Sequence, residues 1–506
     1  MPRWFRLRGA VAAIAALMIA VSLWHLEGAR RGLTITGYTA GKTPVTLYRA
    51  NPQKDAPLIV VSHGFAGSRQ LMAAYSLTLA QAGYSVAAFD FQGHGRNPVA
   101  MSGDVTSVDG TTRYLIAETR KVIDSALERT GATGQIGILG HSMASDIIIR
   151  TALADRRIGP VVAISPFSQA VTATEPRVMA MVSGAWEAGL RQFAREQLRK
   201  VNPGAEEGET TIALVNGSTV LRRAVAAPNV EHVAVLYSPT ALLEAVAWFD
   251  RYFGRRSAAS NDPEAVADIG GWILLLLSGI VIAAWPLAGM LPLNSAARDY
   301  TASTPLPWRA YGMILAVPAV VTPMIAVLTP QGWLPVLVAD YLAVHFLIYG
   351  LIQLFLLRRW GVPLRCDAGG IIALAAFGIG VFGMALDRYV ANFVPPLGRL
   401  PVVAALTFGA LPFMMADRML AHAAGGFWRG LLTKVALFAS LGIALALDFE
   451  RLFFLVLIIP VMILFFLIFG LMGQWVGERR GPATAGIGLG LLLGWALGVT
   501  FPLFSS

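Results

Sequence analysis

Apolar residues follow two different patterns along the chain. Between about residue 32 and residue 254, short apolar runs alternate with stretches in which apolar residues recur every three or four positions. The short runs predict buried strands, and the recurring spacing predicts amphipathic helices. Beyond Asp268, long apolar runs follow one another to the C-terminus, most of them near the twenty or so residues that cross a bilayer. The first region therefore predicts a strand and helix domain, and the second predicts membrane helices.

The strand and helix region has a definite predicted order. The predicted strands are residues 33–36, 45–49, 58–62, 85–90, 135–139, 161–165, 178–182 and 222–227. The predicted helices are residues 69–81, 112–129, 143–154, 189–200 and 239–253. We expect the first two strands, separated by Gly41, to pair as an antiparallel hairpin. Repeated strand and helix alternation predicts an α/β fold, with a mostly parallel sheet covered by helices on both faces.

The remaining apolar runs predict an all-α transmembrane bundle. The predicted spans after residue 268 are residues 270–293, 310–328, 334–357, 369–386, 402–415, 431–447, 452–476 and 485–501. A further span is predicted at the N-terminus, where Arg3, Arg6 and Arg8 precede an apolar run from Gly9 to Trp24. A cleaved signal peptide begins in the same way, but no clean A-x-A cleavage site precedes the folded region, which favours an uncleaved anchor.

Arginines indicate how the chain is oriented in the membrane. They concentrate in alternate loops of the long apolar region, at Arg298, Arg309, Arg358, Arg359, Arg365, Arg418, Arg429, Arg479 and Arg480. Because cytoplasmic loops carry the excess of Lys and Arg, the N-terminus of this multi-pass cell membrane protein is predicted to be cytoplasmic. The predicted organisation is an anchor at 1–31, an extracytoplasmic domain at 32–255, a linker at 256–269 and a membrane domain of about eight helices at 270–506.

The composition supports a membrane protein and excludes several other classes. Of the 506 residues, 56% are hydrophobic and 14% are charged, which is unusual for a soluble protein. The formal net charge of +10 comes from arginines beside apolar runs, so it indicates topology and not nucleic-acid binding. The single cysteine, Cys366, excludes a disulfide within the chain. No H-E-x-x-H, C-x-x-C or P-loop motif occurs, so we expect no metal and no cofactor.

A candidate nucleophile lies where a predicted strand meets a predicted helix. Gly140-His-Ser-Met-Ala144 places Ser142 at this turn, with a small residue two positions to each side. This is the pattern of a nucleophile elbow, in the form G-x-S-x-A. The earlier strand 58–62 ends in His63 and Gly64, and Gly64 would let the chain approach an oxyanion. The expected donors are the amides of Phe65 and Met143, with His63 as a turn residue only.

Three motifs together resemble a known superfamily. Ser62-His-Gly-Phe65, Asp90-Phe-Gln-Gly-His-Gly95 and the Ser142 motif occur in the order seen in α/β-hydrolases, most closely the monoglyceride-lipase, esterase and aminopeptidase-like branch. The resemblance covers about residues 32–254. Ala144 stands where glycine is usual, and Gln92 stands where arginine is common. The remaining long apolar region lies outside the resemblance and would be a fused membrane domain.

The resemblance also implies the rest of a catalytic triad. A serine nucleophile needs a base and a carboxylate that orients the base. In this family the acid follows a late strand and the histidine follows the last strand, which implies Glu187 and His232. Glu175 and Glu231 remain alternatives for the acid. The implied activity is a membrane-bound serine hydrolase that cleaves an acyl ester, plausibly of a lipid or a lipid-linked substrate, and peptidase or thioesterase activity stays open.

A second class of function is a membrane transporter or scaffold that carries a processing, sensing or inactive hydrolase-like domain. Asp340 and His345 fall inside a predicted span, where ionisable side chains are costly and are candidates for function. Tyr341 and His345 share a helix face, so a hydrogen bond between them is the simpler interpretation.

Overall fold

The computed structural model describes residues 3–50, 56–104, 108–257, 262, 265–295, 297–298 and 306–505. Contacts divide the chain into two compact units, which we call the sheet unit and the helical unit. The sheet unit comprises Val21–Leu274, Asp387–Asn392 and Pro502–Ser506. The helical unit comprises Met1–Ala20, Leu275–Leu386 and Phe393–Phe501.

The sheet unit is built on a nine-stranded sheet with the strand order β1-β2-β4-β3-β5-β6-β7-β9-β8. Its strands are β1 Thr34–Ala40, β2 Thr43–Arg49, β3 Leu58–Ser62, β4 Ser85–Phe89, β5 Ile136–His141, β6 Ile158–Ile164, β7 Val178–Gly184, β8 Thr210–Val215 and β9 Ser218–Ala227. The strands from β4 to β9 in this order are parallel, whereas β1, β2 and β8 pair antiparallel at the two edges. The predicted first hairpin and the mostly parallel sheet are confirmed.

Continuous apolar sequences form the centre of this sheet because both faces are covered. All five residues of β3 and of β4 are buried. The helices that accompany the strands are α2 Ala73–Gln81, α3 Arg113–Thr130, α4 Met143–Ala154, α5 Ala188–Arg199 and α6 Pro239–Phe253, after the N-terminal α1 Arg3–Gly28. The predicted helices at 143–154 and 239–253 have the observed bounds, whereas the helix predicted from residue 69 begins only at Ala73.

The sequence analysis missed strand β8 and its hairpin with β9. The connecting turn is Asn216-Gly217, and both residues have positive φ, 48° and 76°. Asn-Gly is the preferred pair for such a two-residue hairpin turn. Exposed Ile212 and Leu214 lie on β8 at the sheet edge, so the strand alternates weakly and gave no clear apolar run.

Nine helices of the described part of the chain are long and apolar enough to cross a membrane. The first is within α1. The others are α7 Gly270–Met290, α8 Trp308–Ala326, α9 Ala339–Arg359, α10 Ala368–Tyr389, α11 Leu400–Ala424, α12 Phe427–Leu447, α13 Leu455–Arg480 and α14 Pro482–Thr500. The predicted number of long apolar helices is confirmed. Most differ from their predicted bounds by a few residues, whereas α11 continues to Ala424, nine residues beyond its predicted end at residue 415.

A row of glycines brings helices α11 and α14 into close contact. The glycines occur at every fourth position of α14, at Gly486, Gly490, Gly494 and Gly498. A Cβ atom at Gly490 would lie 2.8 Å from the Cα atom of Leu411, and one at Gly498 would lie 2.9 Å from the Cα atom of Val403. Such spacing of small residues lets two helix backbones approach closely.

Candidate active site

Ser142 lies on a sharp turn between strand β5 and helix α4. Its backbone has φ 55° and ψ −120°, a conformation that non-glycine residues seldom adopt. A Cβ atom at Gly140 would lie 2.9 Å from the carbonyl oxygen of Ala144, so glycine is needed at Gly140. Ala144 itself fits and is fully buried. The turn therefore has the geometry of a nucleophile elbow, with alanine at its last position.

Two hydrogen bonds connect Ser142 to His232 and His232 to Glu187. The distance from Ser142 Oγ to His232 Nε2 is 2.9 Å, and the distance from His232 Nδ1 to Glu187 Oε1 is 2.6 Å. With the proton on Nδ1, His232 donates to the carboxylate and accepts from the serine hydroxyl, as a general base requires. The structure thus brings together the three side chains that the sequence analysis selected.

The position of each side chain follows from the strand that precedes it. Ser142 follows β5, Glu187 lies between β7 and α5, and His232 follows β9. These strands are parallel, so their carboxyl ends lie at one edge of the sheet. Ligands and catalytic groups of open α/β sheets lie at this edge.

Glu187 is held by three donors. Besides His232, the Ser165 hydroxyl donates at 2.7 Å and the Gly184 amide donates at 2.6 Å. Burial by itself would raise the pKa of Glu187, but the hydrogen bonds from His232, Ser165 and Gly184 outweigh it and lower the pKa. The Glu187 side chain is 7% exposed and that of His232 is 43% exposed, so the carboxylate is enclosed while the imidazole stays accessible.

The two alternative acids have other partners. Glu175 forms an exposed ion pair with Arg177. Glu231 accepts hydrogen bonds from the backbone amides of Val233 and Ala234 at 2.8 Å. The described contacts of His232 with a carboxylate are those with Glu187, so geometry favours Glu187 as the orienting acid.

The chain at Gly64 passes directly beside the nucleophile. A Cβ atom at Gly64 would lie 3.0 Å from the Cβ atom of Ser142 and 3.2 Å from the carbonyl oxygen of His141. Phe65 follows Gly64, and Met143 is the first residue of helix α4, where backbone amides are unpaired within the helix. Phe65 therefore follows a residue that contacts Ser142, and Met143 follows Ser142 itself, so the assignment of their amides to an oxyanion hole stays a prediction.

His63 is used in the turn that carries Gly64. Its Nδ1 lies 2.8 Å from the carbonyl oxygen of Gly64, and its Nε2 accepts from the Phe91 amide at 3.1 Å. Its side chain is fully buried, and burial lowers its pKa. These contacts agree with the interpretation of His63 as a turn residue.

Sequence analysis gave no role to His141, the residue before the nucleophile. His141 Nε2 lies 2.9 Å from the backbone carbonyl oxygen of His232, and the two ring centroids are 4.8 Å apart. Burial, followed by the nearby charge of His232, lowers the pKa of His141 to about 4. A neutral His141 therefore donates to the chain at His232. The position of His141 beside the candidate nucleophile was the one sequence feature that pointed to a role. Its partner, the carbonyl of His232, is 91 residues away and could not be found from the sequence.

A second buried network holds the Asp90–Gly95 motif. Glu118 accepts from the Thr43 hydroxyl at 2.6 Å, the Gln92 amide at 2.8 Å and the Asn97 side chain at 2.8 Å. Asp90 accepts from the amide of Arg69 at 2.8 Å and also pairs with its guanidinium. Gln92 contributes its backbone amide to this network. The contacts that hold the Asp90–Gly95 loop therefore do not need the arginine side chain that is common at this position.

Exposed apolar side chains occur on the chain segments that carry the triad. Trp186 precedes Glu187 and is 69% exposed, and Val233 follows His232 and is 48% exposed. Phe167 is 57% exposed, and its backbone amide donates a hydrogen bond at 3.1 Å to Ser145 Oγ, in the first turn of α4. We call Phe167, Trp186 and Val233 the apolar rim. Among the described residues, no group of three or more His, Cys, Asp or Glu side chains is arranged to hold a metal ion.

Solved structures give partial likenesses to this chain. The epoxide hydrolase VrEH1 from Vigna radiata is 20% identical, with a TM-score of 0.21, and the match covers 27% of this chain and 39% of that protein. A predicted CIB-like hydrolase from Thermoplasma acidophilum is 16% identical, with a TM-score of 0.32, over 44% of this chain and 97% of that protein. Dienelactone hydrolase from Anabaena variabilis is 14% identical, with a TM-score of 0.30, over 43% and 97%. These likenesses say nothing about the substrate of this chain.

A family comparison assigns the sheet unit. Residues 53–248 match the family model described as serine aminopeptidase, S33. The comparison with curated proteins gives no match. The matched range contains Ser142, Glu187 and His232 and the strands that carry them. The sheet unit therefore has an α/β-hydrolase fold and is similar over residues 53–248 to the serine aminopeptidase S33 family, in a chain that continues into a region of several apolar helices.

Proposed function

We propose that Ser142, His232 and Glu187 form the catalytic triad of a serine hydrolase. The observation that carries the proposal is the pair of hydrogen bonds that runs from the Ser142 hydroxyl through the His232 imidazole to the Glu187 carboxylate. The S33 family match over residues 53–248 supports hydrolase chemistry of the serine type.

The arrangement supports hydrolysis through an acyl-enzyme. Ser142 Oγ attacks the carbonyl carbon of the ester while its proton passes to His232 Nε2. The carbonyl oxygen becomes an oxyanion, which the amides of Phe65 and Met143 would stabilise. The protonated imidazole, stabilised by Glu187, then gives the proton to the leaving alcohol. Water, deprotonated by His232, attacks the acyl-enzyme, and the carboxylic acid product leaves as Ser142 regains its proton.

The apolar rim supports an ester with an apolar acyl group as the substrate class. Trp186 is adjacent to Glu187 in the sequence, and Val233 is adjacent to His232. The amide of Phe167 hydrogen-bonds to Ser145 in α4, the helix that follows Ser142. All three side chains are exposed. Burying an aromatic or aliphatic side chain against an acyl chain removes apolar surface from water, which favours long acyl chains. A lipid or a lipid-linked ester fits this surface.

We further propose that the protein is a multi-pass membrane enzyme with its hydrolase domain on the extracytoplasmic side. The nine long apolar helices and the arginines of alternate loops support this orientation. The alternative is a transporter or scaffold with an inactive hydrolase-like domain. His345 is bonded to Tyr341 and Ser440, at 2.8 Å and 3.2 Å, which accounts for this intrahelical histidine by packing.

The test is labelling of the purified full-length protein by a fluorophosphonate probe, which reacts with activated serines whatever their natural substrate. We expect the wild type to be labelled and Ser142→Ala to remain unlabelled. Ser218→Ala, a matched change at the β8–β9 hairpin, should label like the wild type. Labelling of Ser142→Ala, or no labelling of a folded wild type, would contradict the proposal.

A further inference from the structure

The helical unit contains a large cavity between helices α11, α12 and α13. Its volume is about 750 Å³. This is within the range of about 300–1,000 Å³ that is usual for small-molecule sites. Most of its wall is apolar and includes Phe438, Ile463, Phe466, Leu467 and Leu471. The cavity is thus large enough and apolar enough to hold hydrocarbon.

One part of the wall is charged. Arg418, Lys434 and Glu478 line the cavity together with Gln474. Lys434 pairs with Asp417, and the Thr433 hydroxyl also donates to Asp417 at 2.8 Å. Lys434 Nζ lies 5.0 Å from the centroid of the Phe466 ring, the distance of a cation–π contact. The charge of Lys434 is therefore compensated by the protein.

Arg418 is a cation of this cavity without an ion pair in the described part of the chain. Its Nε atom is buried and has no hydrogen-bond partner among the described residues. Asp417 and Glu478 act on it through their charge, but neither forms an ion pair with it in the described part of the chain. Glu478 instead accepts from Gln474 at 3.3 Å. A guanidinium with an unpaired buried N–H in an apolar wall is costly, so an anionic ligand that accepts its hydrogen bonds would be favoured there.

The charged groups lie near helix ends. Arg418 is six residues before the end of α11, which ends at Ala424. Lys434 is in the second turn of α12, which begins at Phe427. At a rise of about 1.5 Å per residue, Arg418 is about 9 Å from its helix end. If these helices span a bilayer, this depth is close to the boundary between head groups and acyl chains, where basic pockets between helices bind anionic head groups.

We propose that this cavity binds an anionic phospholipid, with its phosphate on Arg418 and an acyl chain along Phe438, Phe466 and Leu467. A guanidinium can donate two parallel hydrogen bonds to a phosphate. A head group with net negative charge therefore suits Arg418 better than one without net charge. The proposal depends on the helices being membrane spans. It does not depend on the triad, because no residue of the cavity belongs to the sheet unit.

Binding of defined lipids to the purified full-length protein in detergent tests this proposal, with native mass spectrometry as the readout. Both phosphatidylglycerol and phosphatidylcholine carry a phosphodiester, but the choline cation of phosphatidylcholine would lie near Arg418 and Lys434 and be repelled. We expect phosphatidylglycerol to bind about tenfold more tightly, which corresponds to about 1.4 kcal/mol. Arg418→Gln should abolish the preference, and Arg418→Lys should restore part of it. Arg358→Gln, at the exposed end of α9, is the matched control and should keep it.

A second variant tests the apolar part of the cavity without changing charge. Gly470 lines the cavity, and a Cβ atom there would have nothing within 4 Å, so Gly470→Leu should fold and fill the space. We expect it to weaken phosphatidylglycerol binding about fivefold or more. Equal binding of both lipids by the wild type would overturn the proposal, as would unchanged binding by folded Arg418→Gln and Gly470→Leu. Competition by inorganic phosphate alone, as effective as the lipid, would make this an ion site and would also overturn it.

Discussion

The sheet unit and the helical unit bury their polar side chains in different ways. In the sheet unit, Ser165, Glu187 and His232 come from segments after three different strands and join in one chain of hydrogen bonds that ends on Ser142. In the helical unit, His345 bonds to Tyr341 in its own helix and to Ser440 in another. These contacts join neighbouring helix faces, and among the described residues they do not converge on one reactive atom.

The difference comes from the backbone. Parallel strands end together at one edge, so residues far apart in sequence are collected at one place. A helix instead distributes its side chains around and along its axis, and only residues three or four apart are neighbours. Convergence of polar groups is therefore a mark of the candidate site in the sheet unit, whereas in the helical unit Arg418 lines a cavity with a buried N–H that has no partner among the described residues.

The largest expected effect tests whether the hydrogen bonds from Glu187 through His232 to Ser142 are needed for catalysis. Glu187→Gln keeps the shape but removes the charge that orients His232, so kcat/KM for a simple ester should fall by about 10³- to 10⁴-fold. Glu231→Gln and Glu175→Gln are matched controls and should stay within about threefold. Steady-state kinetics of the purified variants make the measurement. A larger loss in Glu231→Gln than in Glu187→Gln would reassign the acid.

The next effect concerns the helical unit, where close backbone contact takes the place of a polar network. Gly494→Leu would force a side chain against Thr407 of α11 and should destabilise the protein by about 3 kcal/mol, a typical upper value for overpacking. Gly442→Leu in α12 is the control, because a Cβ atom there meets nothing within 4 Å. Thermal unfolding in detergent measures both. Equal melting temperatures for the two variants would show that the glycine contact carries no stability.

A smaller effect concerns the buried His141 of the sheet unit. Its folded pKa, about 4, is lower than its unfolded value of about 6.5, so the unfolded state takes up the proton first. The contribution of neutral His141 to the free energy of unfolding is fully present above pH 6.5 and is lost as the pH falls toward 4. Between pH 7.5 and pH 5 this amounts to about 2 kcal/mol.

His141→Gln should remove that part of the pH dependence while His63 retains its own. The measurement is the melting temperature of wild type and variant between pH 5 and pH 7.5. Parallel pH profiles for the two proteins would contradict the assignment of a neutral, buried His141.

The smallest effect sharpens the proposed substrate class. Trp186→Ser should lower kcat/KM about fivefold for an octanoyl ester and less than twofold for an acetyl ester, because the short chain does not reach the apolar rim. Leu214→Ser, at a 74% exposed position on β8, is the control and should change neither value. A p-nitrophenyl ester series provides the measurement. An equal loss of kcat/KM for both esters would show that Trp186 does not bind the acyl chain.

Much of the fold was readable from the sequence because apolar periodicity reports burial. The buried runs of β3 and β5 gave the central strands, and the elbow sequence gave Ser142 its position. Strand β8 was missed because an edge strand with exposed Ile212 and Leu214 has no clear buried face. The chain order in which Glu187 and His232 were sought came from the family resemblance and not from periodicity.

The remaining parts of the candidate site depend on contacts across long sequence separations. Ser165 donates to Glu187, 22 residues away, and His141 contacts the chain at His232, 91 residues away. Periodicity contains no information on such pairs. The compensation of Lys434 by Asp417 was unreadable for the same reason, because it depends on which faces of α11 and α12 meet.

The glycine row of α14 also restricts movement. Gly486, Gly490, Gly494 and Gly498 face residues of α11 that run in the opposite direction, from Met415 to Val403. A shift along the axis by less than one glycine period, about 6 Å, would place a larger side chain over a facing backbone. Sliding of these two helices in small steps is therefore blocked. We therefore expect α11 and α14 to move together as one rigid body in any conformational change of the helical unit.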